Sequence, residues 1–257
     1  MRELSRSTKK HKVDPPAVLT FVLVHSPLIG PMTWQSVAKG LQVRGHAAIL
    51  PVLSSEGVKP PFWVHHADAI GASLQAVAID NPLVLVAHSG AGPLLPAART
   101  RVTRQIAGYI FADAGVPGPD AATCFDLFGS REVVEQWRAR AEDGSLPVWT
   151  ELAGLANADL QKLIPNPALR RQFVKELPRL PLAAYEEPLP VPSGWPDAPC
   201  GYLKFSPAYE PNAARARQAG WPCVELTGGH FHMLGAPDDV AIALMDLSRA
   251  MKVGVPR

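Results

Sequence analysis

The stretch Leu83-Val-Leu-Val-Ala-His-Ser-Gly-Ala-Gly92 constrains this chain more than any other. A short, continuous apolar run is what a strand buried on both faces of a parallel sheet presents. Small residues follow at Ala87, Gly90, Ala91 and Gly92, so the chain has room to turn sharply from that strand (83–86) into a helix expected over 90–101. A hydroxyl on such a turn is lifted clear of its own backbone. The helix behind it points its amino end at the serine and favours negative charge developing there. Ser89 is therefore the candidate nucleophile. The plainer reading, a serine that only caps the helix, does not account for the strand running straight into the turn or for the small residues two before and two after it.

The remainder of the chain extends the same pattern. Apolar runs at 17–24, 47–52, 106–112, 201–205 and 223–226 predict further strands. Helical patterns at 34–43, 66–77 and 238–251 separate or follow them, with Gly45 and Asn81-Pro82 as stop signals. About six mainly parallel strands flanked by helices make an α/β fold. The alternation breaks between 118 and 199. Helical pieces at 131–142, 159–163 and 168–177 lie there between proline-rich connectors, of which 188–192 excludes both a central strand and a helix interior. This segment reads as a helical lid inserted after the fourth strand. The core is then 17–117 and 200–257, within one structural domain. A lid at that point hangs over the carboxyl ends of the strands, where open α/β sheets bind ligands.

Charge narrows the partners. The net charge of the 257 residues is +2, and Arg2, Arg6, Lys9, Lys10 and Lys12 crowd into a basic, flexible tail at 1–16, leaving the body near neutral. No nucleic-acid or anionic-membrane partner follows from that balance. The apolar run after the tail ends in His25-Ser26-Pro27 without a small-residue cleavage site, and no run approaches the ~18 residues that span a bilayer. Cys124, Cys200 and Cys223 are odd in number, widely spaced and without metal-ligand spacing, which points to the reducing cytoplasm.

With its strand-turn-helix motif around Ala87-His-Ser-Gly-Ala91, the chain resembles the α/β-hydrolase superfamily, in particular the compact branch of hydroxynitrile lyases and methyl esterases. The elbow of that fold usually reads G-x-S-x-G, and alanine here relaxes both flanking glycines. The resemblance runs from Val18 to about Met251, beginning at the strand and loop Phe21-Val-Leu-Val-His-Ser26. It implies a histidine after the last strand. The pattern G-H-F-x-M-L-x-x-P-x-x-V-A falls on His230, with His232 at its variable position. The acid usually follows the next-to-last strand, where only Glu210 is acidic. Some members draw it from the preceding strand, which supplies Asp113. Asp113 is the first candidate and Glu210 the alternative, with Asp120 and Asp126 more remote.

One departure bears on mechanism. The resemblance implies an oxyanion donor from the loop after the first strand, at the position held by Pro27, which has no N–H. Gly90 N–H remains as the elbow's donor, and the second has to come from Leu28 N–H, the Ser26 hydroxyl or water. Ser26, Pro27, Trp34, Phe125, Phe128 and Trp137 are the candidate pocket residues, suited to a small-molecule substrate with an apolar acyl or aromatic group. The resulting expectation is a serine hydrolase of a carboxylic ester, thioester or lactone that needs no cofactor. Two alternatives stand beside it. A hydroxynitrile-lyase-like enzyme would want a cation near the leaving group, for which Lys162, Lys175 and Lys204 are the candidates. A ligand-binding receptor on the same fold has no need of an intact serine and histidine.

Overall fold

The computed structural model describes residues 17–118, 123–125, 130–155 and 157–254. The expected tail at 1–16 lies outside them, as do Asp120, Asp126 and Phe128. The apolar runs form β1 (Thr20–Val24), β2 (Ala47–Ile49), β3 (Leu83–Ser89), β4 (Ile106–Ala114), β5 (Cys200–Lys204) and β6 (Cys223–Glu225). They join one sheet in the order β2-β1-β3-β4-β5-β6, with every neighbouring pair parallel. Parallel neighbours need crossovers rather than hairpins. Helices α1 (Met32–Val43), α2 (Phe62–Ser73) and α3 (Leu94–Arg99) follow the first three strands. Between β4 and β5 lie α4 (Arg131–Arg140), α5 (Trp149–Leu152), α6 (Asn157–Leu163), α7 (Pro167–Lys175) and α8 (Ala183–Glu186). Helix α9 (Glu210–Gln218) follows β5, and α10 (His232–Gly235) and α11 (Pro237–Ala250) follow β6.

Successive strand residues point to opposite faces, and both faces are covered. Phe21, Leu23, Val84, Val86, Ile110 and Leu203 pack with Trp34 and Leu41 of α1 and Leu244 and Leu247 of α11. Val22, Val24, Leu85, Phe111 and Tyr202 pack on the other side with Ile70, Leu94, Leu95 and Ala213. Burial on both faces is why the runs read as continuous; each large side chain fully withdrawn from water contributes about 1.5–3 kcal/mol.

Two boundaries differ from the sequence expectation for identifiable reasons. The helix expected from Gly90 begins at Leu94. In a helix, Pro93 would have to donate to the Ser89 carbonyl, and it has no N–H. That carbonyl instead accepts from Gly92 N–H at 3.2 Å and Gly115 N–H at 3.3 Å, so residues 90–93 form tight turns. Strand β2 stops at Ile49 rather than 52, just ahead of Pro51. The strand order reverses at β1, which has β2 on one side and β3 on the other. A crevice opens at the carboxyl ends of such a pair, where Ser26 follows β1 and Ser89 ends β3.

Candidate active site

Ser89 closes β3 with φ of +56°, a left-handed conformation that few non-glycine residues adopt. Holding it costs on the order of 1–3 kcal/mol, and it persists only where the surroundings dictate it. Ala87 and Ala91 on either side are fully buried. A Cβ on Gly92 would lie 2.0 Å from the Gly115 carbonyl oxygen, so the turn is pressed against the end of β4 at a point only glycine fits.

The end of β4 is itself irregular. His88 pairs with Ala112 and Ser89 with Ala114, leaving Asp113 as the extra residue of a bulge, with φ of +43°. Bulges re-aim side chains, and this one turns the Asp113 carboxylate toward the loops after β5 and β6. Asp113 is completely buried. Its Oδ1 accepts from Phe205 N–H at 2.8 Å and Ser206 N–H at 3.1 Å, while Oδ2 accepts from the Ser206 hydroxyl at 2.5 Å. Nδ1 of His230 stands 3.0 Å from Oδ2. A carboxylate so placed holds a proton on Nδ1 and leaves Nε2 as the basic nitrogen. The backbone of His230 is fixed as well: the His88 ring donates from Nε2 to its carbonyl at 3.0 Å. Burial drives the pKa of His88 well below the ordinary 6.5, so this ring stays a neutral prop.

The loop after β1 faces the elbow. His25 is buried and its pKa is lowered to about 4, chiefly by burial; neutral, it donates from Nδ1 to the Ser26 carbonyl and accepts Leu53 N–H at Nε2. Ser26 O accepts from Ile29 N–H at 3.0 Å, so Pro27 sits second in a four-residue turn, where its fixed φ is at home. Leu28 N–H points back to Ser26 Oγ at 3.4 Å. A Cβ on Gly90 would stand 3.1 Å from Ser26 Oγ and 2.5 Å from the Tyr185 hydroxyl. Tyr185, on α8, thus reaches from the inserted segment to the elbow. Its ring lies 5.4 Å from Phe125 and 5.7 Å from Trp137.

Tyr209 completes the site. Its hydroxyl is 3.1 Å from Ser89 Oγ, and its ring is stacked on His230, with centroids 4.9 Å apart and planes 5° from parallel. Burial pushes its pKa up to about 12, so the phenol keeps its proton.

The chain matches the Alpha/beta hydrolase family over residues 21–243. It belongs to that family. Two curated plant proteins are similar over part of their length. Esterase PIR7B of Oryza sativa subsp. japonica is 30% identical over 122 residues, 45% of this chain and 42% of that protein. Methylesterase 1 of Arabidopsis thaliana is 28% identical over 126 residues, 46% of this chain and 48% of that protein. These alignments thus span less than half of either relative. A solved extracellular α/β-hydrolase from a Paenibacillus species, described as sharing structural and functional homology with tobacco salicylic acid binding protein 2, superposes with a TM-score of 0.69. It is 20% identical and the match covers 89% of this chain and 98% of that one, a likeness of fold.

In this member of the α/β-hydrolase family the structure gathers Ser89, His230 and Asp113 with Gly90 and Ser26 at one end of the sheet. Glu210 is turned elsewhere: it pairs with Lys204 at 2.5 Å and with Arg217. Lys204 also meets Glu225 at 2.8 Å, and Lys162 pairs with Asp159. Trp34 is buried on the α1 side, edge-on to His88 at 6.0 Å, and so lies behind the elbow. His232 packs over Gly228, whose Cβ would meet its Nδ1 at 2.1 Å, and beside Phe205. His66 is buried and 3.0 Å from Ser55 Oγ. No disulfide joins Cys124, Cys200 or Cys223. Among the described residues no metal-binding group of His, Cys, Asp or Glu occurs, and no helix is long and apolar enough to cross a membrane. Sequence reasoning counts Tyr185 only among the aromatics of the inserted segment and passes over Ser206 and Tyr209 as site residues. The only signal for the last two is their place in the loop that usually carries the acid.

Proposed function

We propose that this chain is a serine hydrolase of carboxylic esters that works through an acyl-enzyme on Ser89, with thioesters and lactones in the same reach. The observation that carries the reading is the buried Asp113 carboxylate at 3.0 Å from His230 Nδ1, beside a serine held at an elbow with positive φ. Ser89 attacks the carbonyl carbon as its proton passes to His230 Nε2; Asp113 holds the tautomer and stabilises the imidazolium. The oxyanion takes hydrogen bonds from Gly90 N–H and the Ser26 hydroxyl. Ser26 Oγ accepts Leu28 N–H and is hydrogen-bonded to the buried Tyr185 hydroxyl; with that phenol as donor the Ser26 proton is left to give, which answers the donor lost at Pro27. The alcohol then leaves with the proton from His230, and water repeats the sequence to release the acid.

The names of the two plant relatives, an esterase and a methylesterase, support an ester as the bond cleaved. The rings of Phe125, Trp137 and Tyr185 support an apolar acyl or aromatic substrate, with residues 118–199 as a lid over it. Carboxylates fasten that segment to the core. Glu176 accepts Met32 N–H at 3.3 Å, and Glu187 accepts Phe62 N–H at 2.7 Å and Trp63 N–H at 2.5 Å. Cysteines without disulfides fit a cytoplasmic location.

A fluorophosphonate probe followed by intact mass tests the mechanism without knowledge of the substrate. One label per chain, absent in Ser89→Ala, is the expected result; a panel of esters then ranks acyl groups. Failure of the unaltered protein to label overturns the reading.

A further inference from the structure

We propose that the Tyr209 hydroxyl is a catalytic group of this site, donating a hydrogen bond to the oxygen that departs during acylation and to the water that enters during deacylation. This rests on the hydrolase reading above and adds to it a residue outside the Ser-His-Asp template.

The placement follows from three observations. The hydroxyl is 3.1 Å from Ser89 Oγ, the atom that bonds to the substrate carbon. The ring lies face to face with His230, so the phenol is on the histidine side of the serine. Gly90, Ser26 and the Tyr185 hydroxyl cluster together as the oxyanion side. Around a tetrahedral carbon on Ser89 Oγ, the oxyanion occupies the Gly90 side, and the leaving oxygen has to face His230 to receive its proton. Tyr209 is beside that oxygen's position. A phenol is a suitable donor there because burial holds its pKa far above neutrality, so it keeps its proton through the working range.

In acylation the Ser89 Oγ–C bond forms, the Oγ proton moves to His230, and the C–O bond to the alcohol breaks. The departing oxygen takes the proton from His230 while the Tyr209 O–H···O hydrogen bond stabilises the negative charge it carries as the bond lengthens. In deacylation water occupies the same place: its oxygen bonds to the acyl carbon as its proton passes to His230, and the Oγ–C bond then breaks as Oγ takes that proton back and the acid leaves. Tyr209 loses no proton over the cycle.

Leaving groups separate this role from a structural one. A para-nitrophenolate departs as a stable anion and needs little help; an alkoxide needs a donor. Tyr209→Phe keeps the ring stacked on His230 and removes only the oxygen. Single-turnover acylation is measured on a matched pair of esters with one acyl group, alkyl against para-nitrophenyl, with fluorophosphonate labelling as the check that Ser89 stays activated. The expected result is a fall of ~10–10²-fold on the alkyl ester, several-fold larger than the fall on the para-nitrophenyl ester. Equal falls on both, or a gain in rate showing that the phenol merely plugs the site, overturn the assignment while labelling by the unaltered protein keeps the hydrolase reading. Absence of labelling in the unaltered protein removes both. Tyr209→Leu, which removes the ring as well, should lower both esters and slow labelling; if it matches Tyr209→Phe on every measure, the stacking carries no part of the effect and the placement of the phenol on the histidine side is wrong.

Discussion

Replacing Asp113 by asparagine tests the site where the geometry is most constraining. The carboxylate is buried and takes four partners: Phe205 N–H, Ser206 N–H, the Ser206 hydroxyl and His230 Nδ1. Two backbone N–H groups fix Oδ1 as an acceptor, so the amide oxygen of the substituted side chain must sit there and its NH₂ must take the place of Oδ2. The Ser206 hydroxyl can rotate and accept, but His230 Nδ1–H then meets a donor. The ring responds by carrying its proton on Nε2, and no base is left for Ser89. A tautomer trapped in this way costs ~10⁴ in kcat, or about 5.4 kcal/mol of transition-state stabilisation. The accompanying loss of stability is smaller, on the order of 1–3 kcal/mol for the weakened buried bonds. The assay is kcat on the best ester of the panel together with the rate of fluorophosphonate labelling, after a thermal melt shows that the variant is folded at the assay temperature. Glu210→Gln is the control: its partners are Lys204 and Arg217 on a half-exposed, solvent-screened surface away from the chemistry. A folded Asp113→Asn enzyme within tenfold of the original rate, or a large loss in Glu210→Gln, refutes the assignment.

Other expectations are shorter to state. Ser26→Ala should lower kcat by ~10²–10³ with KM little moved, and Ser26→Thr should restore most of it; an unchanged kcat in the alanine variant places the second oxyanion donor elsewhere. Gly92→Ala drives a methyl to 2.0 Å from the Gly115 carbonyl and should cost more than about 3 kcal/mol or abolish folding, whereas Ala91→Gly costs only about 1 kcal/mol; urea melts of the two separate them. Acid should weaken the fold through His25 and His66, each lowered by burial from 6.5 to about 4. As pH falls below 6.5 the unfolded chain takes up protons that the folded one refuses, so stability present above that value is lost progressively down to about 4. At about pH 5 each histidine contributes a loss of about 2 kcal/mol, and His66→Gln should remove its share; a variant whose melting temperature falls with acid as steeply as the original's contradicts the linkage.

Much of this is legible in the chain because it rests on short-range requirements. Burial on both faces writes a continuous apolar run, so each of the six strands announces itself, and the elbow needs small residues within two positions of Ser89. His230 follows from a local pattern after the last strand. What the sequence conceals is long-range or depends on a backbone irregularity. Asp113 points at His230 only because of a bulge against β3, and a bulge leaves no mark in the hydrophobic pattern. The reach of Tyr185 to Gly90 spans 95 positions of chain, and nothing near either residue encodes it. The expected start of α3 is four residues too early because it neglects Pro93, a signal that is present. Grouping Trp34 with the pocket rests on its aromaticity and its place near the first loop, though its spacing with Val37 and Leu41 puts it on the buried stripe of α1.

The bulge at Asp113 also explains why the loop after β5 looks as it does. With Asp113 of β4 as the acid of the proposed mechanism, the adjacent loop performs two other tasks. Ser206 and the N–H groups of Phe205 and Ser206 hold the carboxylate in place. Three residues on, Tyr209 ends the short turn that leads into α9 and lays its ring on His230. Ser89 and Asp113 are then on neighbouring strands, and each has a positive φ. Ser89 pairs with Ala114 directly past the bulge, and its carbonyl is bound by Gly115. Each strained residue is thus braced by the strand that carries the other, so relaxing either would release both. That coupling predicts strong non-additivity between substitutions at Gly92 and at Asp113, the two contacts through which the brace is made.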